Sequence, residues 1–402
     1  MKKMLKRISS FYQEASQILL TTALLFIFLN FVAMMFVSKS ENELKAFTPE
    51  IPLLWSYTMD QFKKGYPDWD ESKIMQFIVE RTAMDFTYDP FIQFKPKAQQ
   101  GTFFNIAETG GRQGIEKVIW PPPIDRKIVL FFGGSTAFSI SVPDKDTIPA
   151  RLEQYLREVD PSILVYNLGV PSHYSSLERI HLEYLLLHGI RPQIVVFFDG
   201  LNDFYYYDDK PSYTDLLSTY VDGLKKKKKN ISSLTAIDLT QELTKRIPII
   251  NLGLRWLDPK ILADQASRNV PSTDRDLEEK DIRPVLKRLK TNYETVEALG
   301  RQFGFKVLEV IQPVPTYGYD LKNHAFFNGK EANFFAGHIA SQIGYPLMKA
   351  EWSSWSHNLN VLWLGDIQMN RSDNLYIDSV HYTVKFSDEI AKAIAAKATL
   401  LL

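Results

Sequence analysis

Past residue 126 the chain alternates between two patterns. Short runs of consecutive apolar residues occur as IVLFF from Ile128, ILVYN from Ile163, IVVFF from Ile194, KVLEVI from Lys306 and VLWL from Val361. None of them alternates regularly between apolar and polar positions, as a strand with one wet face would. Between them the apolar positions recur every three or four residues. TIPARLEQYLREV places Ile148, Leu152, Tyr155, Leu156 and Val159 on one helical face. IRPVLKRLKTNYETVEALGRQF does the same with Val285, Leu286, Leu289, Tyr293, Val296 and Leu299, and a further helix follows Tyr382.

Strands that are apolar throughout, separated by helices, predict a parallel sheet covered on both faces. The expected fold is α/β, a three-layer flavodoxin-like arrangement of about five strands, with the ligand at the carboxyl ends of the strands near the switch point.

The first part of the chain is patterned differently. ILLTTALLFIFLNFVAMMFV, Ile18 to Val37, is 20 residues without a charge. At about 1.5 Å per residue it is roughly 30 Å long, the thickness of a bilayer core. Lys2, Lys3, Lys6 and Arg7 precede it, and Lys39, Glu41, Glu43 and Lys45 follow. The basic flank predicts a cytoplasmic N-terminus and an extracytoplasmic remainder. A cleaved secretory signal has an apolar stretch of about 7–15 residues ending at small side chains; MMFVSKS does not fit that ending. The expected organisation is a cytoplasmic tail over 1–17, a transmembrane anchor over 18–37, a tether and accessory segment over 38–125, and an α/β domain over 126–402. This describes a single-pass protein of a bacterial inner membrane.

Within the accessory segment, DESKIMQFIVERTAM has helical spacing, with Asp70 or Ser72 as its cap. DPFIQFKPKAQQGTFFNIAETGGRQG predicts short strands and loops. WPPPIDRK predicts an extended approach to the α/β domain. A long insertion, about 205–280, interrupts that domain and carries five consecutive lysines, Lys225 to Lys229. Such a run is a solvated loop or a contact for anionic lipid or glycan.

Composition narrows the chemistry. The 402 residues are 45% apolar and 23% charged, a globular balance. The 47 acidic and 47 basic side chains cancel, so nothing in the charge draws the chain to nucleic acid. There is no cysteine, which excludes a thiol nucleophile, a Cys-ligated zinc and any disulfide. His324, His338 and His357 lack metal-ligand spacing, and His181 and His188 fall in a helical pattern. No metal or organic cofactor is implied.

The candidate chemistry lies after the strands. GGST follows the first, NLGVPSHYSS the second, DGLND the third, and DSVHYT stands after the fifth and before the last helix. Each piece alone is weak: GGS is common in turns, GLND suits a turn, and Asp with His three residues on suits a helix cap. All four in this order, each at a strand end, are not readily assigned to turns.

Together they resemble the blocks of the SGNH (GDSL-type) hydrolases. The match is Ser135 in FFGGSTAFS, Gly169 in YNLGVPSHY, Gly200-Leu201-Asn202-Asp203, and Asp378-Ser379-Val380-His381, with Gly134 where many members carry Asp. It covers roughly 126–402, the insertion apart. The resemblance implies Ser135 as nucleophile, His381 as its base and Asp378 as the group that orients the imidazole. It implies an oxyanion hole from the N–H groups of Ser135 and Gly169 and the amide of Asn202. A serine hydroxyl needs such a base at neutral pH, and the developing oxyanion needs donors aimed in advance. A Walker-type phosphate loop is excluded, because no lysine follows at the required spacing. His173, four residues past Gly169, is a secondary candidate for substrate contact, and the aromatics of FYYYDD from Phe204 suit either sugar stacking or packing.

The expected activity is that of an anchored serine esterase or O-acyltransferase. It would act on O-acyl groups, acetyl foremost, of an envelope polysaccharide through an acyl-serine. The expected partners are the acylated glycan or another ester substrate, the bilayer through residues 18–37, and a membrane-bound O-acyltransferase. A lipolytic enzyme acting on membrane lipids is a second reading. A catalytically silent glycan-binding component, in which His381 does not reach Ser135, is a third.

Overall fold

The computed structural model describes residues 2–41, 57–209, 277–327, 329, 334–355 and 359–402. The tether beyond residue 41, Lys225 to Lys229, His357 and nearly all of the 205–280 insertion lie outside the described residues. The first element, α1 (Lys2–Glu41), is a single helix. Its stretch Phe11–Val32, 22 residues at a mean hydropathy of 1.9, is long and apolar enough to cross a membrane, as the core of a signal sequence also is.

The remaining described residues fall in one compact unit, Glu50–Leu217 with Val270–Leu402. In chain order its elements are α2 (Met59–Gly65), α3 (Glu71–Thr82) and a hairpin of β1 (Phe86–Asp89) and β2 (Gln93–Pro96). Then follow β3 (Lys127–Gly133), α4 (Ser135–Phe138), α5 (Ile148–Val159), β4 (Ile163–Asn167), α6 (Ser175–Leu187), β5 (Ile194–Asp199) and α7 (Leu201–Tyr205). The last are α8 (Glu279–Phe303), β6 (Lys306–Ile311), α9 (Ala340–Trp355), β7 (Val361–Trp363) and α10 (Val384–Ala398).

Strands β3 to β7 form one parallel sheet in the order β4-β3-β5-β6-β7. Counted from β3 this is 2-1-3-4-5, the flavodoxin-like order, and its switch point lies at the carboxyl end of β3. Successive side chains of β3 point to opposite faces. Val129 and Phe131 meet Ile148, Leu152 and Leu156 of α5 and Phe386, Ile390 and Ile394 of α10. Ile128, Leu130 and Phe132 meet Leu182 of α6 and Val285, Leu289 and Tyr293 of α8. The apolar face expected for α5 holds for Ile148, Leu152 and Leu156. Val159, the last residue of the helix, lies on the surface.

Residues 57–125 belong to the same core. Phe62, Tyr66, Ile74, Phe77, Ile78 and Phe104 pack in one cluster with Leu130, Phe132 and Phe138. A boundary at 126 therefore does not coincide with a break in packing. Asp70 caps α3, accepting the Lys73 N–H at 2.8 Å.

Candidate active site

Strand β3 ends in two glycines for two different reasons. Gly133 has φ +148°, and a Cβ there would lie 2.4 Å from Ala137 Cβ and 2.8 Å from the Phe198 carbonyl. Gly134 is extended, but a Cβ would lie 2.1 Å from the Asn202 amide nitrogen. The first permits the sharp exit from the sheet, and the second lets Asn202 approach the backbone just ahead of Ser135. Ser135 then opens the short helix α4, with Gly134 as its cap.

His381 arrives from the turn before α10. Its Nε2 is 2.8 Å from Ser135 Oγ, and its Nδ1 is 2.7 and 2.9 Å from the two carboxylate oxygens of Asp378. Asp378 Oδ1 also accepts the backbone N–H groups of Val380 and His381, at 3.1 and 2.9 Å. The loop is closed by Ile377 N–H donating to the His381 carbonyl at 2.8 Å. Ser135, Asp378 and His381 are all buried. With Nδ1–H donating to the carboxylate, Nε2 is left as the acceptor for the serine hydroxyl. The sequence-derived trio is thus brought together, and the arrangement in which His381 fails to reach Ser135 is not the one observed.

Burial by itself would raise the Asp378 carboxyl. The charge and hydrogen bonds of His381 and the Arg81 guanidinium outweigh it and hold the group well below the usual carboxylate range. Arg81 Nη2 donates to Asp378 Oδ2 at 2.9 Å, with both side chains buried. Arg81 comes from α3, in the stretch read from sequence as accessory. Its pattern announces the helix, but nothing in it announces the partner.

Asn202 lies in the first turn of α7, just past the end of β5, and its amide donates to the His173 carbonyl at 2.7 Å. Its neighbour Asp203 accepts Ser175 Oγ at 2.6 Å and the Gly200 N–H at 3.4 Å, which fixes the turn. Gly169 is placed otherwise than expected. Its N–H donates to Asn167 Oδ1 at 3.1 Å, and a Cβ there would lie 2.4 Å from the Phe138 nitrogen. Gly169 therefore lets the chain leaving β4 pass against the backbone of α4, and its N–H is already engaged.

Directly after Gly169, Val170-Pro171-Ser172-His173 makes a turn. The His173 N–H donates to the Val170 carbonyl at 2.9 Å, and Ser172 has φ +67°. Proline second and a positive φ third is the pattern of a type II turn. The Ser172 N–H has no hydrogen-bond partner among the described residues. Sequence reasoning passed over it because a non-glycine at this backbone conformation leaves no signature; the preceding Pro171 was the available signal.

His173 is buried with its ring edge-on to Phe94, and burial pushes its imidazole down to about 3, so it stays neutral. Phe204 packs on Tyr345 and Tyr206 on Tyr174, so these aromatics of the FYYYDD stretch serve packing. Among the described residues no group of three or more His, Asp or Glu side chains is arranged to hold a metal ion.

No protein-family model and no curated protein matches the chain. Among solved structures it is similar to a protein of the G-D-S-L family from Desulfitobacterium hafniense DCB-2, at 11% identity and a TM-score of 0.35, over 68% of this chain and 99% of that one. It is similar to an inhibitor-bound aryl esterase of M. smegmatis at 14% identity and a TM-score of 0.36, over 69% and 100%. An acetyl xylan esterase matches at 14% identity and a TM-score of 0.34, over 67% and 98%. Two of these three are esterases and the third is a G-D-S-L family protein, each below 15% identity to this chain.

Proposed function

We propose that the chain is a serine esterase or O-acyltransferase that works through an acyl-serine. The observation that carries this reading is the relay Ser135 Oγ, His381 Nε2, His381 Nδ1, Asp378, with contacts of 2.8 and 2.7 Å in the expected sense. Ser135 Oγ attacks the ester carbonyl while His381 Nε2 takes its proton. The carbonyl oxygen becomes an oxyanion, met by the Ser135 N–H at the start of α4, the Asn202 amide and the Ser172 N–H. Collapse of the tetrahedral species breaks the ester C–O bond, and the leaving alkoxide takes the proton back from His381. A second hydroxyl, from water or a sugar, is then deprotonated by His381 and releases the acyl group.

The substrate reading is an O-acyl group, acetyl foremost, on an envelope polysaccharide, with the catalytic unit held on the extracytoplasmic side by α1. What supports it is the apolar span behind a Lys/Arg-rich tail, which would place an esterase where such glycans are assembled. A membrane-bound acyltransferase is the corresponding donor partner when the reaction runs as transfer.

The test is fluorophosphonate labelling of the full chain in detergent, alongside release of acetate from acetylated glycans. Labelling that is lost in Ser135→Ala and His381→Ala, with acetate released or moved to a sugar acceptor, is the expected result. A folded protein that takes no label and turns over no ester overturns the reading.

A further inference from the structure

We propose that Arg81 is a positioning residue for the reaction, acting through Asp378, and that helix α3 therefore belongs to the catalytic unit. This rests on the reading of Ser135, His381 and Asp378 as the reacting site.

The placement of Arg81 is anomalous for a cation. Ile74, Phe77, Ile78 and Arg81 follow the i, i+3, i+4, i+7 spacing of one helical face, and all four are buried. An arginine at the end of an apolar stripe has to find an anion or carry the full penalty of desolvation. The anion it finds is Asp378 Oδ2 at 2.9 Å. The docking of this region does not depend on that pair alone. Gly65, at the end of α2, lies against Ile377, where a Cβ would sit 3.2 Å from Ile377 Cγ1. Tyr66 donates its hydroxyl to the Ser141 carbonyl at 2.6 Å, and Ser141 in turn bonds the Tyr382 carbonyl at 2.7 Å. The loop bearing Asp378 and His381 is thus gripped by α2 from one side and by Arg81 at the carboxylate itself.

The chemical consequence concerns the resting state. When His381 is neutral, Asp378 is a buried anion whose remaining formal positive charge in direct contact is Arg81. Without the guanidinium, a buried carboxyl favours its protonated form. A protonated Asp378 donates where it should accept, and Nδ1 of His381 then becomes the acceptor. The proton moves to Nε2, which can no longer take one from Ser135. Arg81 keeps the carboxylate ionised and turned so that its acceptor oxygens meet Nδ1–H, and so preserves the tautomer that the serine needs.

The test compares Arg81→Met, Arg81→Lys, Asp378→Asn and the double variant Arg81→Met/Asp378→Asn in the full-length protein in detergent. The readouts are p-nitrophenyl acetate hydrolysis, the rate of fluorophosphonate labelling and circular-dichroism melting. For Arg81→Met we expect kcat to fall about 100-fold with KM within about twofold, and Arg81→Lys to recover about tenfold of that loss. In the Asp378→Asn background, adding Arg81→Met should change kcat by less than about twofold, because the group it acts through is already gone. A kcat within about threefold of wild type in folded Arg81→Met, or a full further loss in the Asp378→Asn background, overturns the inference. If Arg81→Met does not fold, the comparison of the double variant with Asp378→Asn decides by the same criterion. A wild type that neither labels nor hydrolyses overturns the hydrolase reading itself, a result distinct from an active wild type indifferent to Arg81.

Discussion

Residues 57–125 and the α/β layers bury charge in opposite ways. The first region buries two arginines, and each is answered by a carboxylate from beyond residue 126: Arg81 by Asp378 at 2.9 Å and Arg112 by Asp144 at 2.7 Å. Arg112 also lies over the Phe104 ring at 3.5 Å and donates to the Ser139 and Val142 carbonyls, at 3.2 and 2.9 Å. The α/β layers instead bury acids beside acids. Glu178 of α6 and Asp199 at the end of β5 face each other, with Asp203 close by. Burial, together with these neighbouring charges, raises the Glu178 and Asp199 carboxyls above their ordinary values. Two ionised carboxylates have no donor between them, so burial of the pair favours a protonated form. The contrast separates two uses of buried charge. Pairs that cross from one region to the other make folding of the two interdependent, because either side alone would bury an unpaired ion. An acid cluster within one region ties that region's stability to pH.

The comparison can be broken most directly at the site that both regions surround. Ser135→Ala should lower kcat for an acetyl ester by about 10⁴-fold or more, with labelling abolished and melting unchanged within a few degrees. A residual labelled serine elsewhere would move the site away from the junction. Next in size is the shared core. Phe77→Ala, in α3, should cost about 3–5 kcal/mol in a single unfolding transition. A separate low-temperature transition in that variant would show that residues 57–125 melt independently of the sheet. Asn202→Ala should lower kcat by about 10²–10³-fold through loss of one oxyanion donor. Loss of the bond from its amide to the His173 carbonyl should also loosen the turn that presents the Ser172 N–H.

The smallest effect is expected from the acid cluster. A carboxyl whose folded value is raised contributes stability that is complete below its unfolded pKa, near 4, and is lost as pH climbs through the folded value. Glu178→Gln removes one such group while leaving Asp199 a donor. Its melting temperature should match wild type near pH 5 and exceed it at pH 8, by the equivalent of about 1–2 kcal/mol. Buried neutral histidines act in the opposite direction. Burial pushes His173 and His324 down to about 3 and about 4. Their contribution is therefore complete above about 6.5 and is lost as pH falls towards those values. Equal pH profiles for wild type and Glu178→Gln would mean that the Glu178–Asp199 pair holds no proton.

How legible this was in the sequence depends on the range of the interaction. The strand runs, the helix faces and the blocks at Ser135, Asn202 and Asp378–His381 announce themselves because each is local. Strands buried on both faces are predominantly apolar, and a base three residues from its orienting acid shares one turn with it. Gly169 illustrates where locality misleads. A glycine after a strand is compatible with an exposed N–H, but whether that N–H is free depends on Asn167 and on how closely α4 passes. Ser172 and Arg81 went unread for a related reason. A positive φ on a serine and a cation at the end of an apolar helical face look like defects until the partner, one element or 297 residues away, is in view.

What the sequence by itself determined is the α/β alternation, the apolar N-terminal helix, and the identity and order of the serine, asparagine, aspartate and histidine at the strand ends. These follow from periodicity and from chemistry confined to a few neighbouring residues. Only the tertiary structure decided that residues 57–125 complete the core rather than lead up to it, that Arg81 answers Asp378, and that the Gly169 N–H is engaged by Asn167. Those outcomes depend on which buried charge and which unpaired donor meet across the fold. A buried ion or a freed N–H is settled by whatever partner packing brings within about 3 Å, whatever the separation along the chain.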